Sequence, residues 1–332
     1  MEFQNKKISV VGGSGFVGTN LCQKLSEKNQ DFEIIDIKMS KQFPERCSIG
    51  DVRDVESLRR TITGDILINL AAVHRDDVKS KQEYQNTNVK GAKNLAIICS
   101  EKKIKKIVFT SSVAVYGSDQ TGTGENGQLK PSNDYGRSKL EAEKYFEKWQ
   151  KSNNSSLIII RPTVIFGVGN RGNVYNLFNQ IASKKFLMIG YGDNIKSLAY
   201  ISNVIAFLDK CIETETKFKI YNYVDTPNLT MNDLVKLVRV KLFDKDNVGL
   251  RIPFWLGLGI GFTFDFISKL LGKKLPISSV RIKKFSMSTE FTSAKAELDN
   301  FTEPYDLIEG INVTLENEFV NPAPQREVFF TE

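Results

Sequence analysis

Short, nearly uninterrupted apolar runs alternate with longer amphipathic stretches through the first two-thirds of the chain. Residues 8–11, 32–35, 66–70, 107–110 and 157–160 are rich in Ile, Val, Leu and Phe. They predict strands buried on both faces, as in a parallel sheet covered by helices. Between them, residues 88–102 and 138–150 read as helices. In the second, Ala142, Tyr145, Phe146 and Trp149 recur at the i, i+3, i+4, i+7 spacing of a core-facing stripe. This alternation predicts an α/β fold built on a doubly wound parallel sheet with right-handed crossovers. After Arg161 the rhythm breaks. Gly167 to Gly172 form a glycine-rich loop, residues 218–223 look like a strand returning to the sheet, and Thr230 with Asp233 caps a helix running to about Phe243. The expected division is a sheet domain over residues 1–170, with a returning segment at about 195–225. Residues 171–194 and 226–332 are expected to form a smaller C-terminal substrate lobe.

The chain has 332 residues, 41% hydrophobic and 26% charged, which excludes a disordered, collagen-like or heptad-repeat protein. No run of 18 uncharged apolar residues occurs, so no transmembrane helix is expected. The polar stretch from Met1 to Lys7 leads straight into a strand, so no signal peptide is expected either. Cys22, Cys47, Cys99 and Cys211 are scattered and there is one histidine. Neither a metal site of the usual zinc ligands nor a disulfide framework is therefore expected, in keeping with a cytoplasmic location. The net charge of +7 suits a phosphate-bearing partner without pointing to nucleic acid.

The first strand runs into Gly12-Gly13-Ser14-Gly15-Phe16-Val17-Gly18 and then a helical segment. Glycine serves three ends here. Gly12 takes the tight turn, Gly15 lets the backbone approach a pyrophosphate, and Gly18 lets the helix pack close to its strand. The N–H groups at the helix start then hold the anion. Asp36 closes the second strand, 21 residues past Gly15, against the roughly 20 expected for a ribose-binding acid. A carboxylate there accepts from both ribose hydroxyls and repels a 2′-phosphate. The pattern thus predicts a Rossmann sheet holding NAD in preference to NADP, with Lys38 close enough to soften that preference.

Tyr135 and Lys139 are four residues apart and share one helix face. A phenol titrates near 10, too high for a base at neutral pH. A lysine cation one turn away and a positive nicotinamide ring would lower it. Ser112, just past the strand at 107–110, supplies a hydroxyl donor to the same substrate oxygen.

In order and spacing, several pieces resemble the extended short-chain dehydrogenase/reductases of the NAD-dependent epimerase/dehydratase type. They are the glycines at 12–18, Gly50-Asp51-Val52, Asn69-Leu70-Ala71-Ala72, Asn88 to Gly91, Ser111-Ser112 through Tyr116-Gly117, and Tyr135 to Lys139. The resemblance covers about residues 6 to 225, in a group containing UDP-galactose 4-epimerase, sugar-nucleotide dehydratases and reductases, and 3β-hydroxysteroid dehydrogenases. It implies Tyr135 as acid/base, Lys139 as ribose ligand and pKa modulator, and Ser112 as donor to the substrate oxygen, with Ser111 its neighbour. Asp51 and Val52 are implied beside adenine, and Ala71 and Ala72 beside the pyrophosphate and ribose. Asn88 is implied to support the cofactor side of the sheet, and Phe16, Val17, Leu70 and Pro162 complete the cofactor set. A homodimer through a two-helix face is also implied.

The chain departs from the galactose-epimerase pattern in two places. Arg161-Pro162-Thr163-Val164 stands where those enzymes place a substrate-binding Asn, and is closer to steroid-type and ketoreductase members. Lys196 stands where the family tends to place an arginine for the substrate diphosphate, giving a point charge without bidentate geometry. Asn173 is a candidate for the nucleotide or sugar. His74 is assigned a substrate-positioning or structural role. Residues 254–271 are strongly apolar but contain Asp265 and Lys269, and Lys273, Lys274, Arg281, Lys283 and Lys284 follow. Apolar anchors beside a basic cluster suit peripheral membrane contact through 254–284. The plainer expectation is that this stretch packs the small lobe.

The leading expectation is NAD-dependent oxidoreduction at C4 of a nucleotide-activated sugar, as in a UDP-hexose or UDP-N-acetylhexosamine 4-epimerase of polysaccharide biosynthesis. A nucleotide-sugar 4-ketoreductase would use the same residues for half the cycle. A 3β-hydroxysteroid-type dehydrogenase fits the apolar segment, and a non-catalytic NAD-binding module is the remaining alternative.

Overall fold

The strands of the main sheet are β1 (Ile8–Val11), β2 (Phe32–Asp36), β3 (Cys47–Ile49), β4 (Ile66–Asn69), β5 (Lys106–Thr110), β6 (Ser156–Pro162) and β7 (Phe218–Tyr223). The computed structural model describes residues 6–74, 80–271, 278–323 and 327–331. The strands pair in parallel in the order β7-β6-β5-β4-β1-β2-β3. The order reverses between β1 and β4, which opens a crevice at the carboxyl ends of those strands. Ile8, Val10, Ile66, Ile68, Val108 and Ile158 face one buried cluster, shared with α1 (Phe16–Glu27) and α6 (Ile201–Glu213). Val11, Leu67, Ile107, Phe109 and Ile159 face the other, shared with α2 (Val55–Thr61), α3 (Gly91–Glu101) and α4 (Asp134–Asn153). Two apolar faces explain the continuous hydrophobic runs in the sequence.

The strand at the edge, β3, escapes the sequence reading because its three residues are not buried. The segment expected as one helix over 88–102 enters as a π-helical turn, Gln85–Lys90, before α3. α4 begins four residues earlier than its periodicity shows, because the Asn133 side chain caps it by accepting from Gly136 N. This brings Tyr135 inside the first helical turn.

A small sheet pairs Leu229–Thr230, Ile195–Lys196, Thr289–Phe291 and Gln120–Thr123. It joins a segment following β5 to the C-terminal part of the chain. α5 (Asn173–Ala182), α7 (Met231–Phe243) and α10 (Leu307–Leu315) contribute Phe178, Leu234 and Ile311 to the same buried cluster as Ile8 and Val10. The Thr230–Asp233 capping box of α7 is present as expected.

α8 (Phe254–Leu271) corrects the expectation that this stretch packs the small lobe. It is 18 residues long with a mean hydropathy of 1.4, and 11% of it is buried. Among the described residues it is one helix long and apolar enough to cross a membrane by length and composition alone. Its buried positions are Gly257 and Gly261, while Trp255, Phe262, Phe266, Leu270 and Leu271 are exposed. α9 (Ser279–Ser286) packs against it. Lys273 and Lys274 lie outside the described residues.

At the end of β6, Arg161 meets Glu143 of α4 in a bidentate pair, with Nε–Oε1 3.0 Å and Nη2–Oε2 2.7 Å. The two side chains are 2% and 1% exposed. Arg161 also donates to Tyr116 Oη at 2.7 Å, and Ser111 Oγ donates to Glu143 Oε1 at 2.5 Å. Removing one partner of a buried, hydrogen-bonded pair leaves the other charge uncompensated and costs about 3–5 kcal/mol. Glu143→Ala is therefore expected to lower the unfolding midpoint in urea strongly. Arg59→Ala, which breaks the exposed Arg59–Glu101 pair, leaves it nearly unchanged. Equal midpoints for the two variants would contradict this.

Candidate active site

The crevice between β1 and β4 is the inner end of a cavity of about 1040 Å3, which extends past the start of α4 to the start of α5. Its floor is the loop from β1 to α1. Gly12 has φ +82°, and a Cβ there would lie 2.6 Å from Ala71 N. A Cβ on Gly18 would lie 2.5 Å from Gly12 O, so α1 can approach its own loop only with glycine at that position. Gly15 differs: among the described residues, its own chain neighbours aside, a Cβ there would meet Gly12 O, at 3.4 Å. Packing does not demand glycine at 15, and the space it leaves belongs to the cavity. Among the described residues no side chain caps the N-terminus of α1, and no acidic residue sits in its first turn, so its N–H groups are suited to an anion.

Asp36, at the end of β2, lines the same cavity. Its Oδ2 accepts from Ser14 N at 3.0 Å and its Oδ1 from Lys38 N at 3.1 Å, which fixes the carboxylate beside the loop. Asp51 and Val52 line the neighbouring wall. Arg53 grips Asp51 through Nε and Nη2, and this contact holds the Asp51 carboxyl below its ordinary range. Phe16, Val17, Leu70, Ala71, Ala72 and Pro162 also face the cavity. A glycine cradle at an uncapped helix start, with a fixed carboxylate one strand away, fits a dinucleotide with a free ribose 2′-hydroxyl.

Tyr135 and Ser112 line the cavity together, and the Ser112 Oγ accepts from Ala114 N at 3.1 Å. Ser111 Oγ is committed to Glu143, which separates the two serines and leaves Ser112 with Tyr135 on the cavity wall. Lys139 donates to Thr110 O at 2.5 Å and lies 4.4 Å from the centre of the Phe109 ring. Burial dominates the titration of both groups. It pushes Tyr135 up to about 12, against the lowering effect of the nearby Ser112 hydroxyl, and pushes Lys139 down to about 7. The lysine does not by itself lower the tyrosine as the sequence suggested. One N–H of its ammonium is committed to Thr110 O.

Two expected residues fall elsewhere. Asn88 does not line the cavity: its side chain accepts from Val73 N and donates to Val73 O and to Ser138 Oγ, clamping the loop after β4 to α4. Lys196 does not reach the cavity either. Its Nζ donates to the carbonyls of Lys284 at 3.2 Å and Met287 at 2.6 Å, and burial pushes it down to about 8. A lysine seated on backbone carbonyls in a small sheet is a structural cross-link. His74 and Asn173 do line the cavity, and so does Lys284, which sequence reasoning did not place there. Nothing local signals Lys284, since it arrives from α9, 145 residues after Lys139.

Residues 8–223 match the NAD dependent epimerase/dehydratase family. An N-acetyl-alpha-D-glucosaminyl-diphospho-ditrans,octacis-undecaprenol 4-epimerase of Escherichia coli O157:H7 is 43% identical over 334 residues, covering 99% of this chain and 100% of the relative. A UDP-glucose 4-epimerase of Vibrio cholerae is 28% identical over 80% of this chain and 86% of the relative. Among solved structures, a UDP-glucuronic acid 4-epimerase from Bacillus cereus in complex with NAD superposes with a TM-score of 0.71 at 19% identity, over 93% of this chain and 97% of that one. With the glycine cradle, the fixed Asp36 and the Ser112–Tyr135–Lys139 group in one cavity, the chain belongs to the NAD-dependent epimerase/dehydratase family, and NAD is its cofactor.

Proposed function

We propose that the protein is a 4-epimerase of an N-acetylhexosamine linked through diphosphate to a polyprenyl lipid. The observation that carries this reading is the end-to-end 43% identity to a relative named for that substrate. The nucleotide-linked sugar expected from sequence motifs is the second reading, favoured by the Vibrio cholerae relative. Both share the same chemistry at C4.

NAD, when bound, supplies hydride acceptance from C4 and its return. The residues of the chain handle the proton. Tyr135 takes the proton of the 4-hydroxyl as the carbonyl forms, and Ser112 donates a hydrogen bond to that oxygen throughout. Lys139, when protonated, would hold the ribose of the bound cofactor and, together with the cofactor's positive charge, would favour the tyrosinate. After the 4-keto sugar turns its other face, Tyr135 returns the proton, so no net oxidation occurs. General acid–base catalysis of this kind contributes about 10²–10⁴-fold.

Incubating the purified protein with polyprenyl-diphospho-GlcNAc and, separately, with UDP-GlcNAc, without added cofactor, tests the reading. The 4-epimer of the lipid-linked sugar is expected at a higher kcat/KM than that of the nucleotide sugar, and Tyr135→Phe is expected to lower kcat by about 10²–10⁴-fold with bound NAD retained. Turnover of UDP-GlcNAc alone would overturn the lipid assignment in favour of the second reading.

The buried lysine gives a further expectation for the cofactor-free protein. Lys139 titrates near 7 when folded, against about 10.4 in an unfolded chain. Between those values the unfolded state binds a proton that the folded state does not, so stability rises with pH through that window. The wild-type unfolding midpoint should therefore climb more from pH 6 to pH 9 than that of Lys139→Met. Identical slopes would show that Lys139 stays charged in the folded protein.

A further inference from the structure

We propose that α8 and α9 form a surface that docks on an anionic phospholipid bilayer, with α8 lying in the interface and the cavity opening beside it. α8 has two unlike edges. Its glycine edge is clamped to the protein: a Cβ on Gly257 would lie 2.6 Å from Ile189 Cγ2, and one on Gly261 would lie 2.8 Å from Ser279 N. Asp265 belongs to this inner edge, its Oδ2 accepting from Ser279 N at 3.2 Å and from Ser279 Oγ at 2.5 Å. The outer edge carries Trp255, Phe262, Phe266 and Leu270, which are 72%, 54%, 64% and 71% exposed. A concentration of large apolar side chains on this scale marks an interaction surface.

The charge of the patch selects the occupant. On the two helices the cations are Lys269, Arg281, Lys283 and Lys284, all exposed, and Asp265 is the single anion, turned inward. Apolar anchors flanked by exposed cations match the acyl boundary and phosphate layer of an anionic membrane. Because its glycine edge stays on the protein body, the helix lies along the surface and does not cross it. Lys284 and Met287, at and just beyond the end of α9, line the cavity, so the docked face and the mouth of the site adjoin. The surface is made by α8 and α9 alone. It would complement a lipid-linked substrate but does not require one.

The two tryptophans make the test direct, since Trp149 is 3% exposed and Trp255 lies on the outer edge. Purified full-length protein is mixed with phosphatidylcholine vesicles, with or without phosphatidylglycerol, and followed by flotation and tryptophan emission without substrate. The expected result is flotation with the phosphatidylglycerol vesicles, weaker flotation with phosphatidylcholine alone, release by high salt, and a blue shift absent from Trp255→Phe. Phe262→Glu with Phe266→Glu should weaken partitioning by at least roughly tenfold, with unchanged bound NAD reporting an intact fold. Three results would each overturn the proposal: no flotation, retention that only detergent reverses, or a concentration-dependent dimer that buries Trp255 and excludes vesicles. Vesicle binding by a protein that turns over only UDP-GlcNAc would leave the docking surface standing and remove the lipid-linked substrate.

Discussion

The site depends on how α4 is held across the carboxyl ends of β5 and β6. The buried Arg161–Glu143 pair ties β6 to the helix, and Ser111 closes the network from β5 through the same carboxylate. From the same stretch of helix, Lys139 reaches the carbonyl of Thr110 at the end of β5. A helix fixed to both strand ends cannot slide by a turn without leaving a buried charge unpaired. Tyr135 and Ser112 therefore meet because structural residues one or two turns along, and one residue before, are already committed. The reacting pair is left to the cavity.

The same burial sets the chemical problem. Lys139 is buried and Tyr135 is half-buried against the cavity wall, and this desolvation favours the neutral form of each. A phenol held in its neutral form is a poor base. The positive charge that would shift this balance comes with the cofactor, whose cradle at Gly12, Gly15 and Asp36 lines the same cavity. Cofactor binding and activation of the tyrosine are thus one electrostatic event, in keeping with a protein that holds NAD through the whole cycle.

Much of this was legible in the sequence, for local reasons. Strands covered on both faces must be apolar throughout, and a loop that admits helix, strand and pyrophosphate must be glycine at 12, 15 and 18. Tyr135 and Lys139 are one helical turn apart whatever else the chain does. What the sequence concealed depends on contacts between distant segments. Lys196 has the charge of a phosphate ligand, but the carbonyls at 284 and 287 claim it. Lys284 reaches the cavity only because α9 folds back to it. The composition of α8 is the same for a buried helix and for one lying on a membrane, and only the glycine edge against Ile189 and Ser279 shows which side faces out. Asn88 was legible as important, but its role is to clamp the loop at Val73.

In this mechanism the same hydrogen leaves C4 and returns to it while Tyr135 moves only the hydroxyl proton. Epimerisation of a substrate deuterated at C4, run in ordinary water without added cofactor, tests it most directly. The epimer is expected to keep its deuterium at C4, with none reaching solvent. Loss of the label to water, or inversion at another carbon with C4 untouched, would contradict it.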